Sequence, residues 1–516
     1  MKSRINRNLL RWSIIPIGSV MVIFIIGISF SFYVENKIKE KILSAKGEIS
    51  SVNVNLLTRS ISIKDFKWAS ATDSLNPTQH SLSLSSISVS GIYLFELLIH
   101  KTLHVTDVVV ADGRIEFNKK IKQSDQRITN PKLRYFFFEN ISFNNIETQI
   151  KTDTLVDFSS VLNCQLTAAR IKIDSINNLN YSVKAIDALL KKINVSRQEG
   201  MYGGTIARLY INTDEKKVIM DSALLIPNFT KFEFGQHLGT QTARINISIP
   251  QLAIEGVQFE KIMDSLFVAS KIEISSFSLY AFKDKRIPFL RKKNVPLPME
   301  SFLKLPLAIK IDTITIKDSN IMIEELPEEG SESGVITFDK VNATLTGLNN
   351  RVKENDPAFA LLDVTALLMG TGIIKVLFQL PVDGSLIYNA KGSISKMPFT
   401  KLDHVLTTMA KVRVNSGYLN NLTFNFNYTE FTSKGNLDID YHDLQLTGLD
   451  KNKKSTNEIK TFIINAFVNN SKTQSGLATS KKTGVINIER DRKRYIFNVW
   501  LKSILDGLKS SILGKK

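Results

Sequence analysis

The chain has 516 residues but only one cysteine, Cys164, and six histidines. A single thiol excludes an intramolecular disulfide framework and any cysteine-based metal cluster, and it leaves the redox compartment open. The histidines (His80, His100, His104, His237, His404, His442) are scattered. His100 and His104 stand four apart, as helical metal ligands would. The surrounding "LLIHKTLHVTDV" reads as strand, however, and no Cys or Glu-rich partners accompany it. There is no G-x-S-x-G elbow, no H-E-x-x-H and no phosphate loop. The glycines of "MYGGTIA" and "MGTGII" suit turns or close backbone approach rather than nucleotide binding. Carboxylates sit mostly on the polar parity of strands, and Asp312, Asp438 and Asp440 read as solvated positions. These absences point to a protein that is not an enzyme and needs neither cofactor nor metal.

Helical patterns are also few. "SVKAIDALLKKI" reads as a short helix with Val183, Ile186, Leu189 and Leu190 on one side. "PFTKLDHVLTTMAKV" reads as another, with Pro398 at its start and a stripe of Leu402, Val405, Leu406 and Met409. "NEIKTFIINAFV", near residues 457–468, is a third. Strands dominate the rest. In "PLAIKIDTITIKDSNIMIEE" (306–325), Leu307, Ile309 and Ile311 share one parity, Ile314 and Ile316 take the other, and Ile321 and Ile323 return to the first. Successive strand side chains point to opposite faces, so bulges or short turns are expected near Asp312–Thr313 and Asp318–Asn320. "SVNVNLLTRSISIKDFKW" alternates at Val52, Val54, Ile61 and Ile63. "LHVTDVVVADGRIEFNKK" does so with a turn expected at Ala111–Asp112–Gly113. A loose theme recurs in "ISIKDF", "LHVTDV", "IKIDSI", "IEISSF" and "IKIDTI": alternating apolar residues, a short polar residue, then another apolar pair.

At 43% hydrophobic and 22% charged the composition is globular. No charge interrupts Trp12–Val34, which is long enough to cross a hydrocarbon core of about 30 Å at ~1.5 Å per residue. It exceeds the apolar region of a secretory signal peptide, and "SFSFYVEN" offers no good cleavage site. An uncleaved anchor is therefore expected. Lys2, Arg4, Arg7 and Arg11 precede it and place the N-terminus in the cytoplasm, with the bulk of the chain beyond the membrane. The net charge of +18 fits either a well-solvated surface or attraction to anionic lipid headgroups. The basic residues form no RNA- or DNA-binding motif, so no nucleic-acid partner is expected.

Four prolines and a basic knot in "RIPFLRKKNVPLPMESFLKLP" oppose helix interiors and central strands and mark an internal boundary. The expected organisation is an anchor with its cytoplasmic stub (1–34), one β half (35–285), a proline-rich linker (286–306) and a second β half (307–449). A helix, the polar linker "VNNSKTQSGLATSKKTG", a last strand and a C-terminal helix follow (450–516).

An antiparallel sheet with one apolar face must bury it. Helices are too scarce to cover the strands, and the pattern runs well past one sandwich or barrel. A curled, trough-like sheet filled by hydrocarbon is the remaining option. Its candidate lining is Ile309, Ile311, Ile314, Ile316 and, in "LTFNFNYTEF" and "GNLDIDYHDLQL", Leu422, Phe424, Phe426, Leu437, Ile439 and Tyr441. In "YIFNVWLKSILDGLKSSILGKK", Phe497, Leu501, Ile504, Leu505, Leu508 and Ile512 recur at helical spacing, with Trp500 at the border and lysines off the stripe. Such a helix either lies on a membrane or in a protein groove, or caps an open sheet edge.

Residues 306–446 resemble the C-terminal region of the AsmA-like proteins, within the broader AsmA/TamB group. The resemblance rests on "LPLAIKIDTITIKDSNIMIEE", "GVITFDKVNATLTGL", "GTGIIKVLFQLP", "KGSISKMPFTKLDHVL" and "VRVNSGYLNNLTFNFNYTEFTSKGNLDIDYHDLQL", with "ERDRKRYIFNVWLKSILDGLKSSI" closing the chain. It looks closest to divergent Bacteroidota-type members. It implies an inner-membrane anchor, a periplasmic repeating β-groove, and a role in moving phospholipid between envelope membranes or in outer-membrane homeostasis, without catalytic residues. The partners it implies are phospholipids, the inner membrane through the N-terminal helix, and the outer membrane or an envelope protein through the C-terminal helix. The alternative is a non-enzymatic scaffold assisting outer-membrane protein assembly, its apolar face closed on itself. A hydrolase or adhesin on a β-helix would need a regular coil length that the sequence does not show.

Overall fold

The computed structural model describes residues 28–70, 80–119, 135–152, 156–174, 178–197, 200–262, 264–290, 293–353, 356–449 and 480–513. Among them are 22 strands and few helices, so the protein is mainly β. The chain divides into two compact units, residues 1–198 with 208–214, and residues 199–207 with 215–516.

The first unit begins with helix α1 (28–44). Strands β1 (Gly47–Glu48) and β2 (Ser51–Asn55) both pair with β3 (Ser60–Ala69). Strands β4 (Ser81–Ile92), β5 (Thr102–Lys119), β6 (Tyr135–Thr152) and β7 (Val156–Asp174) follow side by side. β8 (Asn178–Ser182) and β9 (Ala185–Arg197) pair with β7. A π-helix, Glu96–His100, joins β4 to β5. The expectation of an antiparallel sheet is corrected here, because β5 and β6 run parallel. So is the turn at Ala111–Asp112–Gly113: β5 continues through it, held on both sides by β4 and β6.

Strand β10 (Tyr202–Asn212) is divided between the units. The second unit contains β11 (Lys217–Pro227), α2 (Glu233–Leu238), β12 (Arg244–Glu255), α3 (Phe259–Ile262), β13 (Leu266–Ser275), β14 (Ser278–Asp284) and α4 (Pro298–Leu303). Then come β15 (Ala308–Leu326), β16 (Gly334–Asn349), β17 (Phe359–Leu368), β18 (Gly372–Pro381) and β19 (Tyr388–Pro398). A 3-10 turn, Phe399–Leu402, leads into α5 (Asp403–Ala410), as the stripe in that segment predicts. β20 (Val412–Tyr428), β21 (Thr432–Gly448), β22 (Ser480–Glu489) and α6 (Ile496–Leu513) complete the unit. From β15 to β22 each strand pairs antiparallel with the next. β13 and β14 instead pair parallel with β15. A parallel pair needs a long crossover, and the proline-rich segment 286–306 lies on that crossover. Pro298 opens α4, whose Met299 is buried together with the preceding Leu297. The helix expected near 457–468 and most of the polar linker lie outside the described residues, but the linker's last residues are already strand in β22.

The parity switches have a structural cause. In the first unit Ile63, Ile87, Val110 and Phe143 are successive cross-strand partners, and so are Phe66, Leu84, Gly113 and Ile146. The two rows are separated by unpaired Asp65, Ser85, Asp112 and Asn145, of which three are left-handed (φ 52° at Asp65, 51° at Asp112, 53° at Asn145). One residue of each strand drops out of the pairing here without a register shift between β3, β4, β5 and β6, and the side-chain parity changes across the row. Leu84, Val110 and Ile146 therefore share one apolar cluster with Phe66, Ile87 and Phe143 despite odd spacings along each strand. The bulge row satisfies its own polar groups: Asn145 N donates to Asn163 Oδ1 at 3.0 Å, and Asn145 Nδ2 donates to Asp112 Oδ1 at 2.8 Å.

β15 repeats the device. Asp318 is left-handed (φ 45°) amid register shifts against β16. At Asp312 the strand continues, but it faces left-handed Gly347 (φ 75°) across a gap in the pairing, and Ile309, Ile311 and Ile314 fall in one cluster. The helix expected over "SVKAIDALLKKI" is corrected to β9. Val183 lies ahead of the strand, and Ile186, Leu189 and Leu190 pair with Leu166, Asn163 and Leu162 of β7.

Replacing Asn145 with Val should destabilise the protein by about 2–3 kcal/mol, from left-handed strain and lost hydrogen bonds. Asn145→Gly keeps the backbone geometry and should cost less than about 1 kcal/mol more than the lost side-chain bonds. Urea unfolding midpoints compare the two, and equal losses would remove the bulge from the explanation.

Candidate functional site: an apolar face across eight strands

From β15 to β22 the registers join the apolar residues into continuous rows. One row runs Ile314, Leu345, Leu362, Phe378, Ala390 and Phe426, and ends at Gly435 and Ile486. The next runs Ile316, Ala343, Val364, Val376, Gly392 and Phe424, and ends at Leu437 and Gly484. Neither row carries a charge. From Phe378 onward the first row alternates large and small residues, and in both rows a phenylalanine stands beside a glycine. A Cβ on Gly392 would stand 2.5 Å from Phe424 Cζ, and one on Gly435 would meet Phe426 at 2.5 Å. Glycine in a strand interior commonly marks such close approach.

The structure brings the expected lining residues onto this face, but not into one environment. Leu422, Phe424, Phe426, Leu437 and Ile439 are buried in a packed core, with Tyr441 against it beside Phe399. Phe426 is 2% exposed and Leu437 fully buried. Ile309, Ile314 and Ile316 are only half-buried, as are Leu345, Leu362 and Val364 beside them, while Ile311 is buried. Cover therefore increases toward the C-terminal strands. It comes from Leu297, Met299 and Phe302 at α4 and from Val499, Trp500, Ile504 and Leu508 on α6. Trp500 packs 4.7 Å from Phe378, and Tyr388 stacks on Tyr428 at 4.9 Å. Burial pushes the Tyr388 hydroxyl up to about 12 and raises that of Tyr428 as well. On β13, by contrast, Glu273 accepts from Lys271 and Lys317 at 2.8 and 2.9 Å, which holds its carboxyl down at about 2.

The C-terminal helix does what an edge cap does. Its sheet-facing stripe is Val499, Ser503, Gly507 and Ser511, all buried. The expected stripe divides: Trp500, Ile504 and Leu508 meet the core, Leu505 is half-buried, Phe497 and Leu501 are exposed, and the Ile512 side chain lies outside the described residues. β22 would otherwise present unpaired N–H groups. Val485 N donates to Ser510 Oγ at 3.0 Å and Asn487 N to Asp506 Oδ2 at 2.8 Å. Ser503 Oγ sits 2.8 Å from Ser433 Oγ, and a Cβ on Gly484 would come within 1.9 Å of Gly507 O. Small residues every fourth position on the helix were the available signal for this face.

The proline-rich segment is tied to the same end. Arg490 Nη2 donates to Val295 O at 2.6 Å, and Val295 N donates to Arg492 O at 2.7 Å. Of the paired histidines, His104 Nδ1 lies 3.0 Å from Glu96 Oε2 and its Nε2 lies 3.0 Å from Glu139 Oε1. His100 instead stands against Phe95, so the two do not converge on a common ligand point. The expected membrane anchor, Trp12–Val34, falls mostly outside the described residues. No described helix is long and apolar enough to cross a membrane. No family model matches the chain, and no curated protein matches it.

Gly484→Val should unseat α6, because the new side chain meets helix backbone rather than a movable side chain. The expected loss is about 1–3 kcal/mol, read as a lower urea midpoint with faster hydrogen exchange at Val485 and Asn487. Unchanged exchange there would show that the helix does not hold the edge.

Proposed function

We propose that this chain is a membrane-anchored protein of the bacterial envelope whose apolar β-face binds phospholipid acyl chains and passes them along the strands. In this reading the bulk of the chain lies in the periplasm and the sheet curls into an AsmA-like groove. The observation that carries the reading is the pair of charge-free apolar rows crossing eight consecutive strands, half-covered at β15–β17. Half-covered apolar surface of this extent is costly in water, roughly 25 cal/mol per Å², and a hydrocarbon chain relieves that cost without a hydrogen-bonding partner. The basic balance of the chain favours anionic headgroups at the rim. No residue is assigned a catalytic role.

A second reading has its own observation. The packed end around Phe426 and Leu437 is filled by protein alone, as in a scaffold whose face closes on itself. It follows that Phe424 and Phe426 do not separate the two readings, since a buried charge there unfolds either one. Ile316 does.

The full chain, produced in a Gram-negative host and purified in mild detergent, should carry co-purifying phospholipid by mass spectrometry. Ile316→Glu should keep the wild-type circular dichroism and lose most of that lipid, whereas Phe426→Glu should fail to fold. A folded wild-type protein without lipid would sink the conduit reading and leave the scaffold.

A further inference from the structure

A second apolar feature lies in the first unit, far along the chain from the face above. The connection between β4 and β5 exposes Phe95 (69%), Leu98 (76%) and Ile99 (62%), and the neighbouring β2–β3 turn exposes Leu57 (65%). The two loops share one end of the sheet: Ile92 N donates to Arg59 O at 3.2 Å, and β3 pairs with β4 from Ile61 opposite Val89. Exposed Arg59 and Lys101 flank the apolar tips.

Large apolar residues on a loose loop would fold back on themselves; these are held out. His104 lies between Glu96 of the π-helix and Glu139 of β6, with both ring nitrogens at 3.0 Å from carboxylate oxygens. Tyr93 stacks on the His104 ring at 3.8 Å and donates its hydroxyl to Glu139 at 3.1 Å. Left-handed Lys101 closes the π-helix by donating its N–H to Glu96 O. The polar side of the loop is thus fixed to β5 and β6, and the apolar side points away from the protein.

The chain's own apolar segment arrives at this same end. α1 has its C-terminus near Trp68, whose Nε1 donates to Ala45 O at 3.2 Å, and its Glu35 accepts from Val54 N at 2.8 Å. Trp68 and Ile61 lie at opposite ends of β3, and Val54 pairs with Ile61. Followed toward its N-terminus, α1 therefore runs along the sheet to the end that carries Leu57 and the π-helix. There its exposed Ile28, Phe30, Phe32 and Tyr33 continue the uncharged stretch from Trp12 to Val34.

We infer that this end of the first unit is a membrane-seating surface: Leu57, Phe95, Leu98 and Ile99 enter the headgroup–acyl boundary of the bilayer that holds residues 12–34. Arg59 and Lys101 then meet anionic headgroups. The inference rests on the anchor in the proposed function and adds a second, independent point of membrane contact. Two contacts fix the tilt of the first unit on the membrane, which one helix alone does not.

The test uses spin labels on the full chain in vesicles of phosphatidylethanolamine and phosphatidylglycerol, in a Cys164→Ser background that removes the only native thiol. Labels go at Leu98→Cys, at Val20→Cys in the apolar segment, and at Lys64→Cys on the exposed side of β3. The collision rate with a water-soluble nickel chelate should fall on the order of tenfold at positions 98 and 20 relative to position 64, with oxygen access rising. A position 98 as water-accessible as position 64, with position 20 in lipid, overturns the seating surface and leaves the anchor. A position 20 in water overturns both.

Discussion

A strand offers only two directions for its side chains, and this protein puts its apolar residues on one of them over long, unusually continuous strands. Everything else depends on keeping that alternation in phase. Strands of 16–19 residues such as β7, β15 and β16 accumulate twist, and the bulges interrupt them at matching heights on neighbouring strands. An isolated bulge would turn its strand's apolar residues outward while its neighbours' stayed inward. Asp65, Asp112 and Asn145 bulge together, so the face stays apolar on both sides of the row. Asp and Asn suit these places, since they tolerate the left-handed region and can bond to the neighbouring strand.

The same face serves two ends differently. Around β19–β22 it is a close-packed protein interior, with the Phe424 ring laid over Gly392, the β20 backbone at Phe426 close against Gly435, and α6 pressed onto Gly484. Around β15–β17 the same rows are only half-buried at Ile314, Ile316, Leu345, Leu362 and Val364. The difference lies not in the strands, whose pattern hardly changes, but in what the chain sends back to cover them. α6, arriving from the last strand, goes to the β20–β22 end, while α4, arriving from the crossover, sends Leu297 and Met299 into that core and is tied at Phe302 to Asn350, just past β16.

Much of this was legible in the sequence. The β class, the irregularity at Asp318–Asn320, the helix after Pro398 and the C-terminal helix all follow from periodicity, because each is a local pattern with a local cause. β9 was misread because Ile186, Leu189 and Leu190 have the spacing of a helix face while pairing as strand residues with β7. The parallel pairs β5/β6 and β13/β15 were not legible, because pairing direction is decided by partners distant in sequence. Nor could alternation reveal that Phe424 and Phe426 are core while Ile314 and Ile316 stay half-open: cover is a property of the elements laid over a strand. The small residues Ser503, Gly507 and Ser511 carried that information for α6, but it was hidden behind a more conspicuous apolar stripe.

The hydrogen bonds from Val485 and Asn487 to Ser510 and Asp506 have a consequence for growth. A sheet built by repeating one unit extends readily wherever its last strand shows bare amides. Here that position is already taken by side chains of the chain's own helix. Neither a further strand nor the edge of a second molecule can add beyond β22 without first displacing α6. The eight-strand face therefore has a fixed terminus, and any version of it with more strands must acquire them by insertion ahead of β22.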